Sequence, residues 1–251
     1  MGKIRIQKAL PEVGVASRRG VEQMILDGRI TVNGELVTSL PCFVDLAEDN
    51  VRVDGQSVRR RPGPKVYFLL NKPKGVVCTQ QDPRARPRAV DLIPPQDRRV
   101  YCVGGLDADS TGLVLLTNDG ELTQRLTHAR HGVPRKYVAE VDGRLETEET
   151  AALETGVRIE GRRTAGMNVK VLFASSVRST LKLELPSGHS VDIRRVLADL
   201  GHKVRKLKCV AIGPVTDRGI KIGHFRMLSP AEVGRLGRRD SEHAEKRKTR
   251  R

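Results

Sequence analysis

The spacing of apolar side chains changes character along the chain, and each change marks an element. Residues 4–10 and 20–27 have helical character, whereas 29–32 and 35–37 are strand-like runs on either side of Asn33-Gly34. Asn-Gly readily supplies the positive φ angles of a two-residue hairpin turn, so this stretch predicts a strand, a tight turn and a returning strand. Beyond residue 65, short β-favouring runs recur at 66–70, 99–103, 114–117, 137–141, 169–173 and 180–185. Two helical patterns, 122–129 and 193–200, interrupt them. Strand runs outnumber helices and follow one another too closely for repeated βαβ units. The prediction is an α+β chain: a small helix-plus-hairpin domain, then a domain built on a mainly antiparallel sheet.

Two stretches break the pattern. Arg59-Arg60-Arg61-Pro62-Gly63-Pro64-Lys65 carries two prolines, a glycine and four positive charges in seven positions, the composition of an exposed linker. From Gly234 onward the sequence is charged and nearly free of large apolar residues, ending Lys246-Arg247-Lys248-Thr249-Arg250-Arg251. Such a segment buries too little surface to offset its ordering entropy. The expected organisation is a first domain over 1–58, a linker over 59–65, a second domain over 66–235 and a disordered basic tail over 236–251.

Charge sharpens this picture. Lys and Arg number 46 against 30 Asp and Glu, a net +16 spread along the whole chain, which favours a polyanionic partner such as nucleic acid. Aromatic residues are only 3% and tryptophan is absent, so any ring near a site is informative, because few are left for stacking bases. Cys42, Cys78, Cys102 and Cys209 are far apart with no Cys-x-x-Cys pair, which argues against a zinc site and a disulfide framework and predicts reduced, partly buried thiols. No apolar run has the length of a signal peptide or a membrane span, so the expectation is a cytoplasmic protein with no membrane partner.

The motifs carry a resemblance. Ala16-Ser17-Arg18-Arg19, then Asp27-Gly28-Arg29-Ile30-Thr31-Val32-Asn33-Gly34, resembles the RNA-binding module shared by the S-four ribosomal protein, tyrosyl-tRNA synthetases and many RNA-modifying enzymes. Downstream come Leu70-Asn71-Lys72-Pro73-Lys74-Gly75, then Gly105-Leu106-Asp107-Ala108-Asp109-Ser110-Thr111-Gly112, Arg135-Lys136-Tyr137, Arg194-Arg195 and Ala211-Ile212-Gly213-Pro214. Their order resembles that of pseudouridine synthases of the RsuA type. The resemblance implies a uridine flipped out of its RNA, detached from its ribose, rotated and rejoined through ring carbon. It implies that Asp107 is the catalytic aspartate, that Tyr137 packs on the flipped base and that Arg194 faces the site. It further implies RNA contacts from Ser17, Arg18, Arg19, Arg29, Asn33 and Lys72. The implied partner is structured RNA, ribosomal RNA or an assembling ribosomal subunit, bound by a monomer. No metal or organic cofactor is expected, since Cys and His lack ligand spacing and there is no glycine-rich phosphate loop.

Two positions depart from that family. Its members usually carry arginine immediately before the Leu-Asp pair, where this chain has Gly105. The segment before Arg194 is Ser190-Val191-Asp192-Ile193, without the polar and cationic residues usual there. These departures also fit a catalytically impaired relative acting as a ribosomal-RNA-binding or ribosome-assembly protein. Asp107-Ala108-Asp109-Ser110-Thr111 resembles, in addition, the entry motif of aspartate-dependent phosphatases, but that chemistry needs magnesium and a later acidic cluster. Both aspartates equally suit a turn between strands.

Overall fold

The computed structural model describes residues 2–58, 63–96, 99–127, 133–186 and 192–237. By contacts the chain falls into two compact units, Met1–Lys65 with Gln96–Arg99, and Val66–Pro95 with Val100–Arg251.

In the first unit, strand β1 (Ile4–Arg5) leads into helix α1 (Ile6–Glu12), followed by α2 (Arg18–Leu26). Then come β2 (Ile30–Val32), β3 (Glu35–Leu36), β4 (Phe43–Val44), β5 (Val51–Val53) and β6 (Gln56–Val58). The first helix starts later than its pattern predicts because Ile4 and Arg5 pair with Val44 and Phe43. Ser17 caps α2, its hydroxyl accepting the Gly20 N–H at 2.9 Å. Asn33 and Gly34 make the predicted turn with φ of 53° and 90°, and β3, β2, β5 and β6 form one sheet in that order. Ile6, Leu10, Val21, Ile25, Ile30, Val44 and Val51 bury the apolar faces of helices and sheet together.

The second unit is organised by one long sheet. Its strands are β7 (Tyr67–Lys72), β8 (Tyr101–Cys102), β9 (Thr111–Thr117), β10 (Arg135–Asp142), β13 (Asn168–Ala174), β14 (Arg178–Leu185), β15 (Val204–Ile212), β16 (Val215–Thr216) and β17 (Phe225–Met227). A separate hairpin, β11 (Arg158–Ile159) and β12 (Arg162–Arg163), lies between β10 and β13 in sequence. The order across the sheet is β13-β14-β10-β15-β9-β7-β17, with β16 on β15 and β8 on β9. Every ladder is antiparallel except β15 with β9. Helices α3 (Gly120–Thr127), α4 (Thr147–Thr155), α5 (Ile193–Asp199) and α6 (Pro230–Gly237) complete the unit. The unbroken run Leu113-Val114-Leu115-Leu116 is apolar because β9 is covered on both faces. Leu113 and Leu115 enter the larger core with Leu69, Leu181 and Leu183, while Val114 and Leu116 join Phe68 and Leu70 in a second cluster.

The central strand β15 escapes a reading by hydrophobic pattern. Leu207, Cys209 and Ala211 are buried, but Arg205, Lys206 and Lys208 alternate with them and are neutralised by Asp142, Glu140 and Asp217 on neighbouring segments. The charged stretch from Gly234 begins as helix, since α6 runs to Gly237 and buries Leu236. Linker residues 59–62, Ser190, Val191 and residues 238–251 lie outside the described residues.

Candidate active site

The loop from Val103 to Ser110 joins β8 to β9 and presents Asp107. Its backbone is tied at several points. Val103 N–H donates to Leu115 carbonyl at 2.8 Å, Gly75 N–H to Ala108 carbonyl at 2.7 Å, and Leu106 N–H to Cys78 Sγ at 3.4 Å. The carboxylate is held at both oxygens: Ser110 N–H donates to Oδ1 at 2.5 Å, and Arg194 Nε donates to Oδ2 at 3.0 Å. The same guanidinium donates to Ser110 Oγ at 3.3 Å and to the Val204 carbonyl at 3.1 Å. The Asp107 side chain stays 46% exposed against 25% for Arg194, so the carboxylate is oriented yet open to a ligand. Arg194 stands in the first turn of α5, where Asp192 caps the helix by accepting from Arg195 N–H at 3.1 Å. Asp192 therefore has a structural use. The guanidinium paired with Asp107 comes from Arg194, whereas Gly105 has none to offer.

Around this pair lie groups of several kinds. Tyr137 is 7% exposed in the larger core, and burial is the first cause that pushes its phenol up to about 12, with nearby Asp107 acting the same way and Arg135 against it. Lys72, expected to touch RNA, is fully buried, because its ammonium turns inward and donates to the carbonyls of Pro73 at 3.0 Å and Val76 at 2.8 Å. Burial lowers its pKa, and the nearby Cys78, Asp107 and Asp109 oppose that shift. Cys78 is the more acidic of a hydrogen-bonded thiol pair with Cys102, and it also accepts the Leu106 N–H and faces Lys72 and Arg135. All four cysteines are free thiols. Asp109, two residues from Asp107, points to Lys74 at 3.6 Å, with both side chains 72% exposed.

In the first unit, Arg18 and Arg19 are exposed at the start of α2. Other expected RNA contacts have intramolecular duties. Ser17 is the helix cap. Arg29 makes a two-point contact with Asp54 at 2.8 and 2.7 Å. Asn33 donates to Asp49 at 3.0 Å and accepts from Asn50 N–H at 2.8 Å, which locks the hairpin turn to the following loop. Sequence reasoning missed Ser110 and the buried state of Lys72. The run Tyr67-Phe68-Leu69-Leu70-Asn71-Lys72 holds a clue to the latter, for a cation continuing a doubly covered strand has little water to face. Among the described residues, no group of three His, Cys, Asp or Glu side chains is placed to hold a metal, and no helix is long and apolar enough to cross a membrane.

A carboxylate fixed by a distant arginine, on a long mixed sheet preceded by a helix-and-hairpin unit, defines the class. The model of the RNA pseudouridylate synthase family matches residues 66–199, and that of the S4 domain matches residues 4–40. The chain belongs to the RNA pseudouridylate synthase family. It is 38% identical to "Ribosomal large subunit pseudouridine synthase B" of Bacillus subtilis (strain 168), over 92% of this chain and 95% of that one. It is 37% identical to an "Uncharacterized RNA pseudouridine synthase" of Aquifex aeolicus (strain VF5), over 94% of each chain. Among solved structures, one titled "Crystal structure of pseudouridylate synthase" aligns with a TM-score of 0.67 at 28% identity, covering 93% of this chain and 99% of that one.

Proposed function

We propose that this isomerase converts one uridine of large-subunit ribosomal RNA to pseudouridine, with Asp107 acting at the ribose of a flipped nucleotide. The observation that carries the reading is the Asp107 carboxylate gripped by Ser110 and Arg194, fixed in direction but left open. Ribosomal RNA as substrate is supported by the name and near-complete coverage of the Bacillus relative. In the reaction the C1′–N1 bond breaks, the base turns, a C1′–C5 bond forms, the C5 proton leaves to solvent and N1 gains one. The balance closes within the nucleotide, so neither a redox cofactor nor a co-substrate is required. Asp107 serves either as nucleophile toward C1′ or as the group that assists loss of a sugar proton; both uses need an aimed carboxylate. Tyr137 borders the flipped base and Arg194 orients the carboxylate. Exposed Arg18 and Arg19 hold phosphates, so that RNA binding offsets the few kcal/mol, roughly, of unstacking the target. The protein acts as a cytoplasmic monomer.

The test uses large-subunit ribosomal RNA transcribed with uridine tritiated at C5, because only formation of the new carbon bond releases the label. Wild-type protein releases tritium. Asp107→Asn, which removes the charge at nearly constant size, abolishes release while RNA affinity stays within about threefold. Asp109→Asn is the control, and it retains turnover. A fully active Asp107→Asn, or an inactive Asp109→Asn beside it, overturns these roles.

A further inference from the structure

Arg135 opens strand β10, and its side chain turns toward the root of the Asp107 loop. Its Nη2 donates to the Val103 carbonyl at 2.6 Å. The terminal nitrogens of the guanidinium abut Gly104: a Cβ added there would meet Nη2 at 2.5 Å, Nη1 at 2.8 Å and Cζ at 2.9 Å. Gly104 also has φ of +72°, a region that L side chains rarely adopt, so backbone angle and side-chain packing both require glycine. The next residue, Gly105, lies with its Cβ position 3.1 Å from Cys78 Cβ, which leaves little room for a side chain of its own. Tyr137 is two residues along β10 and therefore on the same strand face as Arg135. Its hydroxyl feels both Arg135 and Asp107. One half-buried guanidinium thus touches the loop that carries the carboxylate and adjoins the ring beside it.

We infer that Arg135 is a positioning residue of the reaction: set against Gly104 and bonded to Val103, it sets the height of the Asp107 loop against β10 and aligns the Tyr137 hydroxyl. The inference rests on the proposed role of Asp107. A guanidinium suits this task because its rigid planar fork donates to a carbonyl while both terminal nitrogens abut the neighbouring glycine, which a lysine ammonium does only in part. Its contribution is geometric, so it acts on the chemical step rather than on RNA capture. Misplacing reacting groups by about 1 Å lowers rates by as much as roughly 10²-fold.

Single-turnover tritium release from the same C5-tritiated transcript tests this. Arg135→Gln lowers the rate at saturating RNA on the order of 10- to 100-fold, with the half-saturating RNA concentration within about threefold of wild type. Arg135→Lys keeps the charge and one donor and recovers part of the loss. Both variants are checked for cooperative melting and for RNA affinity. A glutamine variant within twofold of the wild-type rate overturns the inference while leaving Asp107 in place. So does a loss expressed chiefly in half-saturation, which marks a phosphate contact, or a loss that follows melting temperature with no gain from lysine, which marks simple support of the fold. If Asp107→Asn keeps the wild-type rate, or wild-type protein releases no tritium, the underlying site assignment falls as well.

Discussion

Asp107 and Arg194 are 87 residues apart, and one guanidinium makes the site out of them by spending Nε on the carboxylate and its two remaining nitrogens on Ser110 and Val204. A lysine at 194 has one ammonium and cannot reach three acceptors set around a plane. Arg194→Lys is therefore expected to lower the tritium-release rate by about 10²-fold, the loss typical of removing a preorganised donor, at nearly constant RNA affinity. Rate and affinity measured on the same transcript check it, and a rate within threefold of wild type would show that charge alone suffices. Asp107, Tyr137 and Arg194 were legible as candidates in the sequence because each sits in a short motif. The same motifs contain Ser110 and Arg135, but what their side chains bond was not legible, since Arg194 and Val103 reach them from a helix and a loop distant in the chain. Lys72 shows the opposite case: residue type suggested a phosphate contact, while its ammonium turns inward to a pair of carbonyls.

At the scale of elements, β15 lies between β10 and β9 and sets the distance from α5 to the Asp107 loop. The parallel pair puts Gly112 against Cys209, where an added Cβ would lie 2.1 Å from the Cys209 carbonyl oxygen. The hairpin and the strands β7, β8, β9, β10, β13 and β14 were legible from turn chemistry and β-favouring runs. The strand β15 was not, because its cations are balanced only after folding. Helix α4 was also missed: only Leu153 is buried, and its anchoring depends on His202, which no local pattern reveals. His202 is 7% exposed, its Nε2 3.0 Å from Glu149 and its Nδ1 2.8 Å from the Asp142 carbonyl. Burial pulls the imidazole pKa down, but the Asp142 carbonyl and the Glu149 carboxylate outweigh it and leave it above the ordinary 6.5. A pKa raised on folding means that the native state holds the proton more tightly. That stabilisation is complete below the unfolded value and is lost as pH rises through the folded one. Melting temperature is thus expected to fall as pH rises above about 6.5, and His202→Gln is expected to flatten that fall. Melting curves across the range check it, and a variant with the wild-type slope would remove His202 from the explanation.

For the whole molecule the governing quantity is a net charge of +16, which only a multiply charged partner can exploit. The catalytic unit needs few of these charges, since Arg194, Lys72 and Arg135 are occupied with carboxylate or carbonyl partners inside it. On the proposed function, affinity comes mostly from surface cations such as exposed Arg18 and Arg19, together with the basic stretches of the sequence. Residues 238–251 alone carry seven Lys and Arg against three Asp and Glu. Each phosphate neutralised releases counterions, so affinity falls with salt at a slope of about 0.7 to 0.9 per contact. Truncation after Gly237 keeps α6 and its buried Leu236 intact, so melting temperature should stay constant while affinity weakens. The salt slope should flatten by about 2 to 4 if between three and five of those cations meet phosphates. Turnover at saturating RNA should not change if the segment serves RNA capture alone. Binding isotherms at a series of potassium chloride concentrations, run beside tritium release, separate these effects. An unchanged slope would assign RNA capture to the S4 domain and the catalytic unit, and a lower saturated rate would mean that the segment helps to seat the target uridine.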